Sequence, residues 1–281
     1  MDVFDLPAVD ALVRTALTED LGAGDVTTRL TVPAEKRARA EISAKENAVI
    51  AGLPLIRKVC AVATGRVDVR EHVSDGTRVA SGDVVASLAG PAHTLLATER
   101  VILNLLQHLS GVATFTARFV AAVGGSGCRI VDTRKTTPGL RVLEKYAVRV
   151  GGGFNHRTGL NDGILIKNNH ITAAGGVAAA VGAAHVGAPH GLKVEVECTT
   201  FAEVDEALAA GAEIILLDNM SIDQMTEAVR RIGGRALVEA SGGVTLNNVA
   251  AVAATGVDII SIGALTHSVP AIDLHMTLFL V

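Results

Sequence analysis

The chain has 281 residues, of which 49% are hydrophobic and 19% charged, and its formal net charge is −4. This apolar fraction excludes general disorder and suffices for one large domain or one large and one small, at about 150 residues per domain. The near-neutral charge and the scarcity of aromatic residues (six Phe, one Tyr, no Trp) argue against a protein dedicated to nucleic acids or membrane surfaces. Three cysteines without a C-x-x-C pair and an acidic N-terminus favour a cytoplasmic protein.

The first hundred residues combine helical and strand patterns. Apolar residues recur at helical spacing over residues 9–17, and Gly22 follows as a stop signal, which predicts the first helix. Short β-branched runs separated by Gly, Asp and Ser fill residues 38–88, and the clearest predicted strands are 66–69 and 84–88. We therefore predict an α+β sandwich domain in this part of the chain.

One segment of this domain, residues 75–85, resembles the turn framework of modules that carry biotin or lipoate. Those modules attach their cofactor to a lysine in a hairpin turn, whereas no lysine lies between Lys58 and Lys135. We interpret the segment as a structural turn and keep a carrier module as the alternative from a different functional class.

The second half of the chain alternates strand and helix patterns. A long helix is predicted over 99–123, where residues 101–106 are apolar nearly all round, as in a helix buried between domains or subunits. Helical patterns of 10–15 residues then separate most members of a series of short apolar runs. These runs are 129–132, 164–166, 194–196, 214–217, 236–238 and 258–262. Apolar strands alternating with helices predict a parallel sheet covered on both faces.

The ends of these runs favour a barrel over a Rossmann sheet, because no G-x-G-x-x-G follows the first strand. The runs are followed instead by Arg134 and Lys135, Lys167, Glu197, Asp218, Ser241 and Gly263, the last five at steps of 30, 21, 23 and 22 residues. In a (β/α) barrel all strand carboxyl ends meet at one mouth, so these residues are expected to share a site. Because six or seven strands are visible, we predict the α/β fold class, with an incomplete (β/α) TIM-like barrel following the N-terminal α+β sandwich.

Positive charge is concentrated around the first barrel strands. Residues 129–167 contain eight Lys or Arg against three acids, whereas residues 193–281 contain four against twelve. A solvated helix stripe with a spacing of four accounts for Arg141, Lys145 and Arg149. Four others lie at strand ends or after the glycine-rich loop 151–156, namely Arg134, Lys135, Lys167 and Arg157. Converging cations are costly without an anionic partner, so we expect a ligand that bears carboxylates or phosphates.

Two acids and two glycine turns lie farther along the predicted barrel mouth. Glu197 and Asp218 end neighbouring strands, where they can bind Mg²⁺, usually through water, or accept hydrogen bonds from sugar hydroxyls. Capping of the next helix is the alternative, and for Asp218 the two interpretations are equally weighted. The turns 241–244 and 263–266 let backbone N–H groups and a following helix N-terminus approach an anion, the usual position of a barrel phosphate site.

Six motifs carry a family resemblance. They are Thr133-Arg134-Lys135-Thr136-Thr137-Pro138-Gly139, Lys145-Tyr146-Ala147-Val148, Gly151-Gly152-Gly153, Asn155-His156-Arg157, Leu217-Asp218-Asn219-Met220 and Ser241-Gly242-Gly243. Together they resemble quinolinate phosphoribosyltransferase, also called nicotinate-nucleotide pyrophosphorylase (carboxylating), and the similarity spans nearly the whole chain. One departure is Lys167-Asn168-Asn169-His170, where the family more often has an acid after the lysine, so the role of Asn168 stays open.

The resemblance implies an N-terminal α/β sandwich at 1–105, joined by the C-terminal segment 270–281, and an incomplete barrel at 106–269 that carries the active site. It also implies a homodimer or a higher assembly of dimers. The reaction implied converts quinolinate and phosphoribosyl pyrophosphate to nicotinate mononucleotide, pyrophosphate and CO₂ in de novo NAD biosynthesis. A phosphoribosyltransferase of similar architecture acting on nicotinate is the close alternative, since it would bind one carboxylate instead of two.

The roles of individual residues are also implied by the matched motifs. Quinolinate would be bound by Thr133, Arg134, Lys135, His156, Arg157 and Lys167, with Arg100 contributed by the neighbouring subunit. Phosphoribosyl pyrophosphate would be bound by Glu197, Asp218, Ser241, Gly242, Gly243, Gly263, Ala264 and His267. Glu197 and Asp218 would also hold Mg²⁺, directly or through water. The catalytic residues would be Lys135, Lys167, Glu197 and Asp218.

Overall fold

The computed structural model describes residues 2–63 and 66–280, which fall into two compact units. The first takes the described residues of Met1–Ala117, Thr136–Gly152 and Leu265–Val281, and the second takes Arg118–Lys135 and Gly153–Ala264. These units divide the chain differently from the predicted domains 1–105 with 270–281 and 106–269, whose boundaries stay a prediction. The stretch Thr136–Gly152 is held in the first unit partly by a bond of 2.8 Å between the Glu144 carboxylate and His108 Nε2.

The first unit contains a four-stranded antiparallel sheet. Its strands are β1 (Arg37–Ala44), β3 (Asp68–Glu71), β5 (Val84–Pro91) and β12 (Leu274–Leu280), in the order β12–β1–β5–β3. Every second residue of β1 is buried, from Ala38 to Ala44, so one face of the strand packs into the core. A separate antiparallel pair is formed by β2 (Ala48–Val49) and β4 (Arg78–Val79).

The predicted helices are present, with some differences in extent. A short 3₁₀ helix, Val3–Asp5, precedes α1 (Pro7–Leu21), α2 (Val26–Thr31), α3 (Pro54–Val62), α4 (Ala92–Ala122), α5 (Arg141–Val150), α6 (Asn168–Ala174), α7 (Val177–Gly187), α8 (Phe201–Ala209), α9 (Ile222–Ile232), α10 (Val249–Ala254) and α11 (Ala264–His267). Helix α1 ends at Gly22 (φ 48°), as the stop signal predicts. The expectation that Lys145 is solvated is wrong, because α5 buries Lys145 together with Leu143 and Ala147. Among the described helices, none has the length and apolar character needed to cross a bilayer.

The second unit is built on a six-stranded parallel sheet. Its strands are β6 (Arg129–Val131), β7 (Ile164–Ile166), β8 (Val194–Cys198), β9 (Ile214–Asp218), β10 (Leu237–Ser241) and β11 (Ile259–Ser261), in the order β6–β11–β10–β9–β8–β7. Each strand overlaps one predicted apolar run. The edge strands β6 and β7 do not pair with each other, so the described strands leave the barrel open. The predicted α/β fold with an incomplete barrel and an N-terminal sheet domain is confirmed.

The segment 75–85 is a structural turn region of the first unit. The Asp75 carboxylate accepts hydrogen bonds from the backbone N–H groups of Gly52 (2.7 Å) and Leu53 (3.1 Å) and from the Tyr146 hydroxyl (2.6 Å). The pKa of Tyr146 is raised by burial and by this bond to Asp75. Asp75 therefore ties three separate parts of the unit together, and its segment also contributes β4.

Candidate active site

A cavity of about 350 Å³ lies at the carboxyl ends of the parallel strands, lined by residues of the second unit. It brings together nine of the residues predicted to bind substrate, namely Thr133, Arg134, Lys135, His156, Arg157, Lys167, Glu197, Asp218 and Ser241. The remaining lining residues are Leu165, Leu216, Glu239 and Ser261. This common position follows from the parallel sheet, because all its strands end at the same edge.

Six predicted residues are not among those that line this cavity. They are Arg100, Gly242, Gly243, Gly263, Ala264 and His267. Arg100, on α4, and His267, at the end of α11, belong to the first unit and are both exposed. Gly242 and Gly243 directly follow β10, and Gly263 and Ala264 follow β11 after Ile262. The substrate contacts of all six stay predictions.

Two cations of the cavity, Arg134 and Arg157, lie close enough for one to influence the other. Burial and, next, the positive charge of Arg134 hold the pKa of Arg157 below its usual range. The Arg157 guanidinium also donates from Nη1 to the carbonyl oxygen of Gly163, at 3.1 Å. The Lys167 ammonium forms an ion pair with Glu197. The cavity thus holds converging positive charge, and one of its acids already partners one of its cations.

The segment that carries His156 and Arg157 is fixed along β6, although three glycines precede it. The N–H of Phe154 donates to the carbonyl of Ile130 (2.8 Å), and the N–H of Asp132 donates to the carbonyl of Phe154 (3.2 Å). The carboxylate of Asp132, which is fully buried, accepts the N–H of His156 at 3.0 Å. Asp132 therefore sets the position of the two site residues that follow.

Both ring nitrogens of His156 have partners within the chain. Nδ1 accepts the backbone N–H of Arg157 at 2.7 Å, so the ring proton belongs on Nε2. Nε2 lies 3.2 Å from Glu195 Oε2 and 3.6 Å from Glu239 Oε2. A bond from His156 to a substrate carboxylate would require the ring to release one of these contacts.

The structure excludes the helix-capping alternative for Asp218 and Glu197, whereas their binding of sugar hydroxyls or Mg²⁺ stays a prediction. Helix α8 is capped by Thr200 and helix α9 by Ser221, whose hydroxyl oxygens each accept a backbone N–H of the first turn at 3.2 Å. Neither acid is a helix cap, and both carboxylates line the cavity. Asp218 Oδ2 accepts a hydrogen bond of 3.0 Å from the side-chain amide of Asn219.

The glycine turn after β10 meets the turn after β9. Gly242 (φ 91°) and Gly243 (φ 63°) adopt left-handed backbone conformations that favour glycine. A Cβ atom on Gly242 would lie 2.2 Å from Asn219 Oδ1, so any side chain there displaces Asn219. The expected helix N-terminus directly follows only the second glycine turn, where α11 begins at Ala264, whereas α10 begins at Val249.

Two acids in the barrel interior escaped the sequence reasoning. Glu195 on β8 and Glu239 on β10 are 4% and 2% exposed, and they precede Glu197 and Ser241 by two residues. Side chains two apart on a strand point to the same face, so these acids lie one layer below the cavity mouth. The signal that could have found them is a charged residue inside an otherwise apolar strand, in phase with a predicted site residue.

An open α/β barrel whose cavity at the strand carboxyl ends gathers four cations with the carboxylates of Glu197 and Asp218 defines an enzyme for small polyanionic substrates. The chain matches the family models described as "Quinolinate phosphoribosyl transferase, N-terminal domain" over residues 25–110 and "Quinolinate phosphoribosyl transferase, C-terminal domain" over residues 112–277. The chain belongs to the quinolinate phosphoribosyltransferase family.

Individual relatives agree with this assignment. The chain is 47% identical over 273 residues to the nicotinate-nucleotide pyrophosphorylase [carboxylating] of Mycobacterium leprae, covering 95% of each chain. It is 45% identical over 265 residues to a probable nicotinate-nucleotide pyrophosphorylase [carboxylating] of Bacillus subtilis, covering 94% of this chain and 91% of the relative. The crystal structure of NadC from Streptococcus pyogenes is similar with a TM-score of 0.94 at 41% identity, covering 99% of both chains.

Proposed function

We infer that this chain transfers the phosphoribosyl group of phosphoribosyl pyrophosphate to quinolinate, with decarboxylation, and so forms nicotinate mononucleotide, pyrophosphate and CO₂ in de novo NAD biosynthesis. Family membership supports the reaction, as do the names of the relatives. The single observation that carries it is one cavity in which Arg134, Arg157 and Lys167 meet Glu197 and Asp218. Such a cavity has cations for a doubly acidic pyridine and carboxylates for a sugar.

Binding of quinolinate would satisfy the cations of the cavity. Arg134 and Arg157 offer planar guanidinium groups that suit carboxylates, and Lys135 and Lys167 add point charges. Each charge-assisted hydrogen bond contributes roughly 1.5–3 kcal/mol, which offsets the repulsion between neighbouring cations. Lys167 is paired with Glu197, and its ammonium group has further N–H donors that a substrate carboxylate can accept.

The chemistry then requires little more than positioning. The pyridine nitrogen displaces pyrophosphate from the anomeric carbon through a transition state of oxocarbenium character, which the facing carboxylates Glu197 and Asp218 stabilise. Once the nitrogen carries the ribose it is positively charged, so it stabilises the carbanion left when the adjacent carboxylate departs as CO₂. No covalent nucleophile is needed, and alignment of the two substrates supplies most of the acceleration.

We propose, as the family resemblance implies, that Mg²⁺ would be held by Glu197 and Asp218. Two carboxylates that cap no helix and line the cavity provide the oxygen ligands that Mg²⁺ prefers, with water and substrate phosphates completing its shell. When bound there, the ion supplies charge stabilisation to the departing pyrophosphate.

The decisive experiment measures labelled CO₂ from quinolinate labelled in its 2-carboxylate, with and without phosphoribosyl pyrophosphate. We expect CO₂ release only with the donor present, in equal amount to pyrophosphate. An enzyme for nicotinate would form pyrophosphate with nicotinate and release no CO₂ from quinolinate, and that result would reject the proposed function in favour of the alternative.

We also propose that Arg100 acts in the active site of a partner subunit within a homodimer. The family resemblance supports this role, as does the exposure of Arg100 on α4. Mixing the Arg100→Ala and Arg134→Ala variants, at a quinolinate concentration too low for either variant alone to be appreciably active, tests it, because a mixed dimer would then contain one intact site. Restoration of about a quarter of the wild-type activity is expected after subunit exchange. No restoration, in a mixture shown to contain mixed dimers, would place Arg100 within its own subunit's site.

A cytoplasmic location is part of the proposal. It is supported by the three cysteines, which are all free thiols, as expected in a reducing compartment. Fractionation of cells that express the full chain should recover the activity with cytoplasmic marker enzymes, and recovery with an exported marker would contradict it.

A further inference from the structure

The layer below the cavity mouth contains a cluster of groups that the proposed mechanism does not use. Glu195 and Glu239, here called the buried acid pair, both approach His156 Nε2, at 3.2 and 3.6 Å. The other oxygen of each acid, Oε1, is buried and has no hydrogen-bond partner among the described residues. Such a pair is costly if both acids are ionised, because one imidazole cannot satisfy two buried carboxylates.

The surroundings of Glu239 favour its protonated form. The groups that face it are Glu195 from β8, His156 from the segment after β6 and Ser261 from β11, while Leu216 of β9 lies beside it and the cations Arg134 and Arg157 line the same cavity. Burial and, next, the charge of Glu195 raise the pKa of Glu239 to about 7, although His156 and Ser261 act in the opposite direction. A carboxylic acid is thus retained near neutral pH in the floor of the site.

This acid also borders a cavity at the opposite end of the barrel. A second cavity, of about 310 Å³, is lined by Ile164, Ile214 and Ile259, the first residues of three strands. Glu239 and His156 line both this cavity and the one at the mouth. A proton lost from Glu239 toward the mouth can therefore be replaced through the second cavity.

The proposed reaction requires a proton at one defined step. When CO₂ leaves, the electron pair of the broken C–C bond remains on pyridine carbon C2, and the product has hydrogen there. The lysines of the cavity serve the carboxylates as cations, and the ring proton of His156 is directed at Glu195. Among the cavity groups, Glu239 combines an acidic proton with a buried position and a route for its replacement.

We propose that Glu239 is the general acid that protonates C2 as CO₂ departs, so that proton transfer and C–C cleavage occur in one step, with Glu195 and His156 as the positioning residues beside its carboxyl group. The O–H bond of the Glu239 carboxyl breaks, a C2–H bond forms with the electron pair left by CO₂, and Glu239 becomes a carboxylate that solvent reprotonates. This assignment rests on the proposed function.

The test separates phosphoribosyl transfer from decarboxylation in a single turnover. The Glu239→Gln variant of the full chain is mixed with 2-carboxyl-labelled quinolinate, phosphoribosyl pyrophosphate and Mg²⁺, and pyrophosphate and CO₂ are measured in time. We expect pyrophosphate formation close to the wild-type rate, CO₂ release slower by about a hundredfold, and accumulation of the undecarboxylated mononucleotide. Equal rates of both products at the wild-type level, or an equal loss of both, would overturn the assignment.

A matched variant keeps the inference testable if Glu239→Gln does not fold. Glu195→Gln retains the acid and removes the neighbouring charge that raises its pKa. The rate of CO₂ release should therefore begin to fall at a lower pH than in the wild type, while the pH dependence of pyrophosphate formation stays unchanged. An unchanged profile for CO₂ release would overturn the inference. If the wild-type chain forms neither product, the proposed function itself fails, and this inference fails with it.

Discussion

Gly242 and Gly243 permit a controlled test of the contact between the two turns at the barrel mouth. Both residues have left-handed backbone conformations, with φ of 91° and 63°, so alanine at either position carries a backbone penalty of about 1–3 kcal/mol. They differ in their surroundings. A Cβ at Gly242 would lie 2.2 Å from Asn219 Oδ1, whereas a Cβ at Gly243 would have no heavy atom of the described residues within 4 Å beyond its chain neighbours.

The difference between the two alanine variants therefore isolates the displacement of Asn219. To make room, Asn219 must give up its hydrogen bond to the Asp218 carboxylate, now 3.0 Å long. A bond to an ionised group contributes roughly 1.5–3 kcal/mol, and exposure of this one places it at the lower end. Asp218 is a proposed ligand of phosphoribosyl pyrophosphate. A loss of about 1.4 kcal/mol in the binding free energy between Asp218 and this substrate corresponds to tenfold weaker binding.

The assay is steady-state kinetics with phosphoribosyl pyrophosphate as the varied substrate. We expect the KM for this substrate in Gly242→Ala to exceed that in Gly243→Ala by about tenfold, while the two variants share a similar KM for quinolinate. Thermal unfolding of both variants monitors the backbone penalty that they have in common. Equal KM values, or a larger effect at Gly243, would refute the reasoning that Asn219 transmits the change.

Three further predictions concern single charges. Arg134→Ala should raise the KM for quinolinate roughly ten- to a hundredfold with the fold intact, because one or more charge-assisted bonds are lost. The control variant Arg149→Ala, on the exposed face of α5, should leave this KM unchanged. An unchanged KM and rate in Arg134→Ala would reject the role of Arg134. Glu197→Ala should lower turnover mainly because phosphoribosyl pyrophosphate is bound less well, and it also removes the ion-pair partner of Lys167. A wild-type saturation curve for phosphoribosyl pyrophosphate would count against this role of Glu197. The pKa of Glu239 is raised to about 7 from the ordinary 4.5. Its protonated form therefore contributes about 3 kcal/mol to the free energy of unfolding of the wild type, fully below pH 4.5, and this contribution is lost as the pH rises to 7. Urea unfolding at pH 5 and 8 should therefore show a stability difference between wild type and Glu239→Gln that changes by about 2.5 kcal/mol, because part of the contribution is already lost at pH 5, and a constant difference would contradict the raised pKa.

The fold could be predicted in large part because its strands are short and apolar. Each of the six parallel strands overlaps a predicted run, since a strand buried on both faces leaves a continuous hydrophobic pattern. Helix α4 begins at Ala92, before the predicted start at residue 99, because its first turns lack a one-sided apolar pattern. Lys145 shows the limit of charge patterning, since a spacing of four along α5 does not reveal which face is buried.

The candidate site was predictable where strand ends carry polar residues. Nine predicted residues line one cavity because parallel strands deliver their carboxyl ends to the same edge. The cap of α9 could not be assigned from the sequence, because Asp218 and Ser221 are both good capping residues. The bonds of His156 also depend on the tertiary structure, because its partners Glu195 and Glu239 are 39 and 83 residues away along the chain.

The sequence by itself determined the alternation of strands and helices, the concentration of cations between residues 129 and 167, and the motifs that indicate the family. These properties are local, since they depend on residue types and their spacing along the chain. Only the tertiary structure decided that Glu195 and Glu239 face one imidazole in the barrel interior, and that Lys167 is paired with Glu197. Burial and the approach of distant side chains control the charge of an acid, and neither quantity is encoded in the spacing of residues on one strand.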